Sequence, residues 1–487
     1  MHYLDLTLKE IHQALLDKKV TPLELTLEAI KRAKDSKDNA FECLLENEAI
    51  EKAKSLLEPT DSLFWGIPYV AKDNLSTKGI ETCASSDILE GYYPLFDATV
   101  IEKLNNEGAI LIGKTTLDEL AMGGSGTTGH KGITYNPYDP SHTHLMGGSS
   151  AGSATAVCGG IVPFALGSDT GDSIRKPASH GGMVGFKPTY GRISRYGLFS
   201  FAASLDHVGY FTRSVYDATA LLTLLEGHDE KDMSSSFKDV EIYENYLDKD
   251  YTGTKVAVVN QVIASIKNKT ILDAFNNLIN KLKAKGVQVD YVDINNDILK
   301  AIFPAYLIIS CAEATSNNAC LDGIKYGNRK DGSSFQEVMM NTRTQGFGEL
   351  IKRRFVIGQY SLLKENQKDT FLRAQKVRRL VVDKFNEVFA NYDLILMPSA
   401  PTSAPKIEGD MDRLSDEYMI ADNYMAYGNF GGYPSITLPL GFEGDLPFGV
   451  NLTGRVFEDG KVLGFAKVIE DLLPYYNLSV LTKEDKR

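Results

Sequence analysis

The chain opens with a helical pattern of apolar and polar positions. Residues 3–57 carry apolar residues at helical spacing, with two helix start signals among them. One is Thr7 followed by Glu10, and the other is Thr21-Pro22-Leu23-Glu24. A threonine cap with a glutamate three residues later satisfies the first free N–H groups of a helix. We therefore predict helices across this segment.

From Phe64 onward the pattern changes to short apolar runs that are separated by glycine and proline. Such runs predict buried strands, and the longer amphipathic stretches between them predict helices. Alternation of the two predicts an α/β domain whose sheet is covered by helices on both faces. The predicted strands include Ile110–Ile112, Lys255–Val259 and Leu394–Leu396, and the predicted helices include Ile271–Lys285 and Thr370–Ala390.

Composition narrows the class of protein. The 487 residues are 43% apolar and 24% charged, as in a globular protein with a large core. The net charge of −12 argues against a chain that holds nucleic acid by its own electrostatics. No charged segment followed by an apolar run marks the start, and no run reaches the roughly 18 apolar residues of a membrane span. We expect a cytosolic protein with no membrane contact.

The cysteine pattern agrees with that compartment. Five cysteines are an odd number, and their scattered positions lack the spacing of a metal site. We predict reduced thiols in the core and no metal. They are Cys43, Cys83, Cys158, Cys311 and Cys320.

Two glycine- and serine-rich clusters carry the candidate chemistry, Gly147–Ser153 and Gly167–Arg175. Glycine lets backbone N–H groups approach a ligand, and a serine hydroxyl can be activated as a nucleophile. No histidine falls between Ser149 and Ser173, so a base has to come from elsewhere. The best candidate is Lys72, which follows an apolar run.

Two other patterns match known motifs only formally. Gly108–Thr115 fits a P-loop, but its four intervening residues are Ala-Ile-Leu-Ile and predict a buried strand instead of a phosphate cradle. Gly148–Gly152 fits a nucleophile elbow with Ser150 as nucleophile. That hypothesis needs a late histidine, and the last one in the chain is His228.

Two histidine-containing patterns favour a structural role. His142 and His144 could bind a metal, but no further group of ligands joins them in the sequence. Asp206-His207 resembles two members of a catalytic triad, although adjacent residues rarely make that hydrogen bond.

Lys72, Ser149 and Ser173 together resemble the amidase signature family, whose hydrolases use a Ser–Ser–Lys triad. The resemblance implies one large twisted, mixed sheet covered by helices on both faces. A helical segment at 1–60 would pack on the core, and 61–487 would form the amidase signature domain. The likeness runs from about Trp65 to Leu473 and includes Lys187–Arg192, Ser204–Asp206 and Pro398–Thr402.

The resemblance also implies a division of roles. Lys72 would be a neutral base, since burial lowers the pKa of a lysine. Ser149, after a cis peptide bond, would relay the proton from the nucleophile Ser173. Backbone N–H groups of the preceding turn would hold the oxyanion. That turn is Thr170, Gly171 and Asp172.

Asp172 departs from the family motif, which is Thr-Gly-Gly-Ser. If the missing glycine needed a positive φ, aspartate would supply it at a cost. A carboxylate near an oxyanion is unfavourable unless it points away or is paired, and Arg175 is the expected partner. We expect a slower turnover and no change of reaction type.

Three further stretches resemble one branch of the family, the glutamine-hydrolysing subunits of tRNA-dependent amidotransferases. The likeness implies that Arg354 binds the α-carboxylate of glutamine and Asp422 its α-ammonium. Ser125 and Tyr306 are further candidates for the pocket. The stretches are Ala121–Ser125, Gly191–Leu198 and Lys352–Gly358.

The same branch implies partners. The chain would hydrolyse glutamine and supply ammonia for conversion of Glu-tRNA(Gln) to Gln-tRNA(Gln) in a heterotrimer with two other subunits. It would need no cofactor itself, whereas one of those partners would use ATP and magnesium and contact most of the tRNA. Two hypotheses stay open beside this one: a free-standing amidase for small carboxylic amides, and a catalytically impaired scaffold subunit.

Overall fold

A mixed sheet of eleven strands organises the residues that the computed structural model describes, 2–409 and 412–483. The predicted domain limits at residues 1 and 487 lie outside these ranges. The strand order is β1-β3-β2-β4-β6-β5-β10-β11-β9-β7-β8. The strands are β1 (Phe41–Leu44), β2 (Pro68–Lys72), β3 (Ile110–Thr115), β4 (Ala165–Asp169), β5 (Val184–Lys187), β6 (His207–Thr212), β7 (Lys255–Val259), β8 (Gln288–Val292), β9 (Leu394–Pro398), β10 (Ser435–Glu443) and β11 (Leu446–Gly454).

Parallel pairing near one end of the sheet brings the candidate residues together. β2 pairs in parallel with both β3 and β4. Because parallel strands place their carboxyl ends at the same edge, Lys72 at the end of β2 lies beside the end of β4. The central strands from β4 to β9 pair antiparallel, and β7 pairs in parallel with β8 and β9.

Both faces of the sheet are covered, as predicted. Alternate residues of a strand point to opposite faces. In β9, Leu394 and Leu396 belong to one hydrophobic cluster, whereas Ile395 and Met397 belong to a second. The strand is therefore buried on both sides, which explains its continuous apolar sequence.

Helices form the two outer layers. The capping boxes predicted at Thr7 and Thr21 are confirmed, each with the reciprocal pair of hydrogen bonds to the glutamate three residues on. The helices are α1 (Leu8–Leu16), α2 (Pro22–Asp35), α3 (Glu46–Ser55), α4 (Thr99–Asn106), α5 (Ala151–Cys158), α6 (Arg175–His180), α7 (Val215–Leu225), α8 (Asn260–Ser265), α9 (Lys269–Ala284), α10 (Asn296–Asn317), α11 (Phe335–Gly346), α12 (Glu349–Leu362), α13 (Phe371–Phe389), α14 (Tyr427–Phe430) and α15 (Asp459–Leu472).

The N-terminal segment is not wholly helical, which corrects one expectation. Phe41–Leu44 forms β1 and pairs antiparallel with β3 at the edge of the main sheet. The buried residue of this strand is Glu42, so the run lacks the apolar pattern that marks the other strands. The segment from residue 2 to 60 thus extends the sheet as well as packing on it.

Helix α10 passes the length and composition test for a membrane span, the one helix among the described residues to do so. It packs against α12 and α13 within the protein. Its residues Leu299, Ile302 and Ile309 are fully buried. Its apolar sequence is accounted for by this position in the second hydrophobic cluster.

Candidate active site

Lys72 is buried at the carboxyl end of strand β2, and its amine forms hydrogen bonds with three serine hydroxyl groups. Its Nζ lies 2.8 Å from Ser149 Oγ, 3.0 Å from Ser150 Oγ and 2.9 Å from Ser168 Oγ. Within the described ranges, no carboxylate forms an ion pair with this amine. Its charged form therefore lacks a direct counter-ion.

Burial lowers the pKa of Lys72 to about 7, although the charges of Asp118, Asp169 and Asp206 oppose this effect. A neutral amine carries one lone pair and two N–H groups. It can accept a proton from one hydroxyl while it donates hydrogen bonds to the other two. The surroundings of Lys72 therefore suit a base that works near neutral pH.

The peptide bond between Gly148 and Ser149 is cis, as the family resemblance implied. Gly148 has no room for a side chain, because a Cβ would lie 2.0 Å from Asp118 Oδ2. Asp118 also accepts backbone N–H groups of the facing loop, at 2.9–3.2 Å. The donors are Ser125, Gly126, Thr127 and Thr128.

Ser150 is held differently from Ser149. Its Oγ donates to the carbonyl oxygen of Ser168 at 2.9 Å, and the residue lies just before α5. No histidine in the part of the chain that the structure describes forms a hydrogen bond with Ser150. The nucleophile-elbow hypothesis thus lacks the base that it requires.

Ser173 lies at the end of a rigid turn, just before α6, and is 3% exposed. Arg175 fixes this turn through Asp169, with Nη2–Oδ1 at 2.9 Å and Nε–Oδ2 at 3.1 Å. The same guanidinium donates to the carbonyl oxygen of Gly171 at 2.7 Å. Residue Thr170 is held by its hydroxyl, which donates to Asp206 Oδ1 at 2.7 Å.

Backbone donors in this turn remain available. Among the described residues, the N–H groups of Gly171, Asp172 and Ser173 donate to no carbonyl or side chain. Adjacent N–H groups without internal partners can bind a developing oxyanion.

Asp172 is paired, but not with Arg175 as expected. Its Oδ2 lies 2.8 Å from Lys176 Nζ, one helical turn further on, while Arg175 is occupied by Asp169. Burial raises the pKa of Asp172, and the Lys176 ammonium opposes the rise. The backbone of Asp172 does not adopt a positive φ. The aspartate therefore replaces glycine here without a left-handed conformation.

Tyr306 packs on the turn before Ser173, and Arg354 lies near Tyr306. A Cβ on Gly171 would come 2.9 Å from Tyr306 Cζ, so the tyrosine ring packs directly on the turn. Arg354 lies close enough to oppose the burial that raises the pKa of Tyr306. The guanidinium lies 5.5 Å from the centroid of the Phe201 ring, and among the described residues its Nε and Nη1 are buried with no hydrogen-bond partner. Buried donors of this kind need an acceptor, which a ligand carboxylate would supply.

Asp422 and Ser125 are the remaining residues that were predicted for the pocket. Asp422 ends a π-helical turn, Glu417–Asp422, and its Oδ2 lies 3.3 Å from Lys176 Nζ. Ser125 belongs to the loop held by Asp118, and its Oγ shares a hydrogen bond of 2.7 Å with Thr127.

Three contributors to this site were missed by the sequence analysis. Ser168 lies in the Gly167–Arg175 cluster and was given no role, although it forms a hydrogen bond with Lys72. Lys176 could have been found, because it follows Asp172 at the spacing that pairs side chains on a helix. Asp118 gives no sequence signal, since its role depends on a loop that folds back on it.

The histidines of the two alternative patterns each contact a group with a structural role. His142 contacts Asp38 at 3.1 Å, and His144 contacts Asp139 at 2.7 Å. The Nδ1 atom of His207 faces the carbonyl oxygen of Leu205 at 2.7 Å and makes no triad contact with its neighbour.

Most of the P-loop pattern, from Ile110 to Thr115, forms strand β3. Its lysine, Lys114, is buried and pairs with Asp73 at 3.0 Å, which leaves no cradle for a phosphate.

The cysteines are free, but not all lie in the core: Cys320 is exposed and Cys43 is half-buried. Cys83 stands with Glu42 and His130 in a group of potential metal ligands. Lys131 approaches Glu42 Oε2 to 3.4 Å, and the contact with Glu42 raises the pKa of His130 to about 9. Glu42, His130 and Lys131 therefore form an ion-pair network beside the Cys83 thiol.

Comparisons with known proteins agree with this geometry. The family model described as Amidase matches residues 24–463. The A subunit of the glutamyl-tRNA(Gln) amidotransferase of Pediococcus pentosaceus is 40% identical over 465 residues, covering 94% of this chain and 95% of its own length. The corresponding protein of Thermotoga maritima, with the same name, is 41% identical over 452 residues, covering 93% and 92%.

Solved structures give the same result. A crystal structure of that Thermotoga maritima glutamyl-tRNA(Gln) amidotransferase chain superimposes with a TM-score of 0.81 at 36% identity, over 99% of this chain and 98% of that one. A bacterial aryl acylamidase of the amidase signature family shares the fold, with a TM-score of 0.83 at 23% identity over 97% of each chain. With its buried lysine, its paired serine clusters and a family match along most of its length, the chain belongs to the amidase family.

Proposed function

We propose that this chain is the glutaminase subunit of a tRNA-dependent amidotransferase. The observation that carries the proposal is the buried amine of Lys72, which forms hydrogen bonds with three serine hydroxyls, one of them that of Ser149 after the cis peptide. The relatives that are about 40% identical over nearly the whole chain are named as the A subunit of such an enzyme, which supports this assignment over a free-standing amidase.

The reaction begins with proton transfer. Neutral Lys72 takes the proton of Ser149, which takes that of Ser173 as its oxygen attacks the amide carbon of glutamine. The oxyanion is held by the available N–H groups of Gly171 and Asp172. The tetrahedral intermediate collapses, the amide nitrogen gains the proton from the lysine relay, and ammonia leaves. Water then hydrolyses the glutamyl ester.

Two charged residues select the substrate by its backbone groups. The unpartnered Nε and Nη1 of Arg354 bind the α-carboxylate, and Asp422 binds the α-ammonium. We assign Tyr306, which packs on the turn, and Ser125, in the loop held by Asp118, to the same pocket.

Ammonia then passes to partner subunits. The chain works in a heterotrimer, in which a partner with ATP and magnesium activates tRNA-bound glutamate and makes most of the tRNA contacts. The acidic net charge of −12 supports this division of labour.

The whole proposal is tested by ammonia release from glutamine, measured for the chain alone and with candidate partner subunits. Glutamine hydrolysis that depends on, or rises with, the partners supports the amidotransferase. Efficient hydrolysis of simple aryl or aliphatic amides without partners, and little of glutamine, indicates a free-standing amidase instead. A chain that fails to react with an amidase-directed serine probe is a scaffold.

Ser173→Ala should lower the glutaminase rate by about 10⁴-fold or more, because it removes the attacking oxygen. Ser149→Ala should also be severe, whereas Ser150→Ala should cost far less, because that hydroxyl donates to a carbonyl oxygen. Steady-state ammonia release compares the three variants. A large loss in Ser150→Ala with a mild one in Ser149→Ala would reverse the assignment of the two serines.

Lys72→Arg should be nearly as damaging as Lys72→Ala, because arginine stays protonated near neutral pH. In the unaltered enzyme kcat/KM should rise with pH through about 7, as the lysine loses its proton and becomes a base. A pH profile of ammonia release measures both effects. Near-normal turnover in Lys72→Arg, or a rate that falls across this range, would exclude the lysine as base.

Arg354→Ala should weaken the use of glutamine by about 2–5 kcal/mol in kcat/KM, since it removes the partner of a desolvated carboxylate. An amide without an α-carboxylate should be almost insensitive to the change. The matched control is Arg353→Ala, an exposed neighbour whose partner Glu349 is 3.8 Å away. Equal losses on both substrates would mean a folding defect or a misplaced pocket.

A further inference from the structure

Lys176 holds two carboxylates together beside the candidate nucleophile. Its Nζ lies 2.8 Å from Asp172 Oδ2 and 3.3 Å from Asp422 Oδ2. The lysine side chain is 9% exposed, and each aspartate side chain is 18% exposed. The two aspartates are far apart in sequence, so this ammonium ties the turn before α6 to the π-helical turn Glu417–Asp422.

The charges of this group do not cancel. The two carboxylates raise the pKa of Lys176, which keeps the amine charged. One ammonium and two carboxylates leave a net charge of −1 when all three are ionised. If Asp172 were neutral, Lys176 and Asp422 would form a neutral pair, and a cationic ligand group would find no net charge there.

Asp172 makes a backbone contact and a side-chain contact at the start of α6. The backbone N–H of Lys176 donates to the carbonyl oxygen of Asp172 at 2.9 Å, and the side chains pair at the favourable i,i+4 spacing. The backbone of Asp172 is not left-handed. The aspartate that replaces the family glycine is therefore paired with a lysine four residues later, in α6.

We propose that Asp172 is a positioning residue for the α-ammonium of the substrate. Lys176 contacts the carboxylate of Asp422, and Asp172 offsets the lysine charge, so that the three groups together keep the net negative charge that an amino group needs. The substrate class is an α-amino acid amide. This inference rests on the proposed function, because Asp422 is the ammonium site of that proposal. It replaces the expectation that Asp172 only slows the chemistry.

The test measures KM and kcat for two single variants that each remove one charge and for the double variant that removes both. Asp172→Asn keeps the shape of the side chain and removes its charge, so it should raise KM for glutamine by about tenfold, with a smaller change in kcat. Lys176→Gln should give a KM at or below that of the unaltered chain. The double variant Asp172→Asn, Lys176→Gln should return KM to within about twofold, since the group again carries a net charge of −1.

A matched substrate separates charge from folding. Glutarate monoamide keeps the amide and the carboxylate of glutamine but has no α-ammonium, so its KM should not follow these changes. Arg379→Ala, which breaks an exposed ion pair of 2.8 Å with Asp383, serves as the control variant and should leave both KM values unchanged. Unfolding temperatures, measured for every variant, identify any loss of fold.

The outcomes distinguish the two proposals. Equal shifts in KM on both substrates, or a double variant that stays as weak as Asp172→Asn, would overturn the positioning role while glutamine hydrolysis itself stands. A poorly folded Asp172→Asn leaves Lys176→Gln to decide, and a raised KM for glutamine in that variant contradicts the role. An unaltered chain that cannot hydrolyse glutamine, even with its partners, overturns the proposed function.

Discussion

Burial of the Lys72 amine among serine hydroxyl groups, with no ion-pair partner among the described residues, is the constraint on which the site depends. The three carboxylates that oppose the fall in its pKa have other partners. Asp118 accepts the N–H groups of a loop. Asp169 pairs with Arg175. Asp206 accepts a threonine hydroxyl and backbone N–H groups. Each raises the pKa of Lys72 only from a distance, so burial is the stronger effect and brings that pKa to about 7.

Late segments of the chain close the site around this core. The side-chain amide of Asn429 donates to Asp169 Oδ1 at 3.0 Å and accepts from Arg175 at 2.7 Å, which fixes the turn before Ser173. The π-helical turn reaches the same place through Asp422 and Lys176. Residues far apart in sequence thus set the charge and the rigidity of the turn, while the two candidate serines come from two nearby glycine- and serine-rich clusters.

The sequence predicted those elements that are determined by interactions between residues close together in the chain. Strands such as Lys255–Val259 and the capped N-terminal helices are confirmed, because their periodicity and caps lie within a few residues. The contact of Lys72 with Ser149 followed from a family resemblance over short motifs. Strand β1 was missed because its buried residue, Glu42, is charged and its stability comes from pairing with a distant strand. The pairing of Asp172 was assigned to the wrong cation, since two neighbouring basic residues competed and tertiary contacts decided between them.

The protonation state of Lys72 is the central claim, and it can be measured directly. Lysine labelled with carbon-13 at Cε reports the ionisation of each amine by NMR, and loss of one resonance in Lys72→Met assigns the signal. We expect that resonance to titrate with a midpoint near 7, well below the value of about 10.4 for an unperturbed lysine. A midpoint at or above the unperturbed value would mean a permanently charged ammonium, and the lysine could not then act as the base.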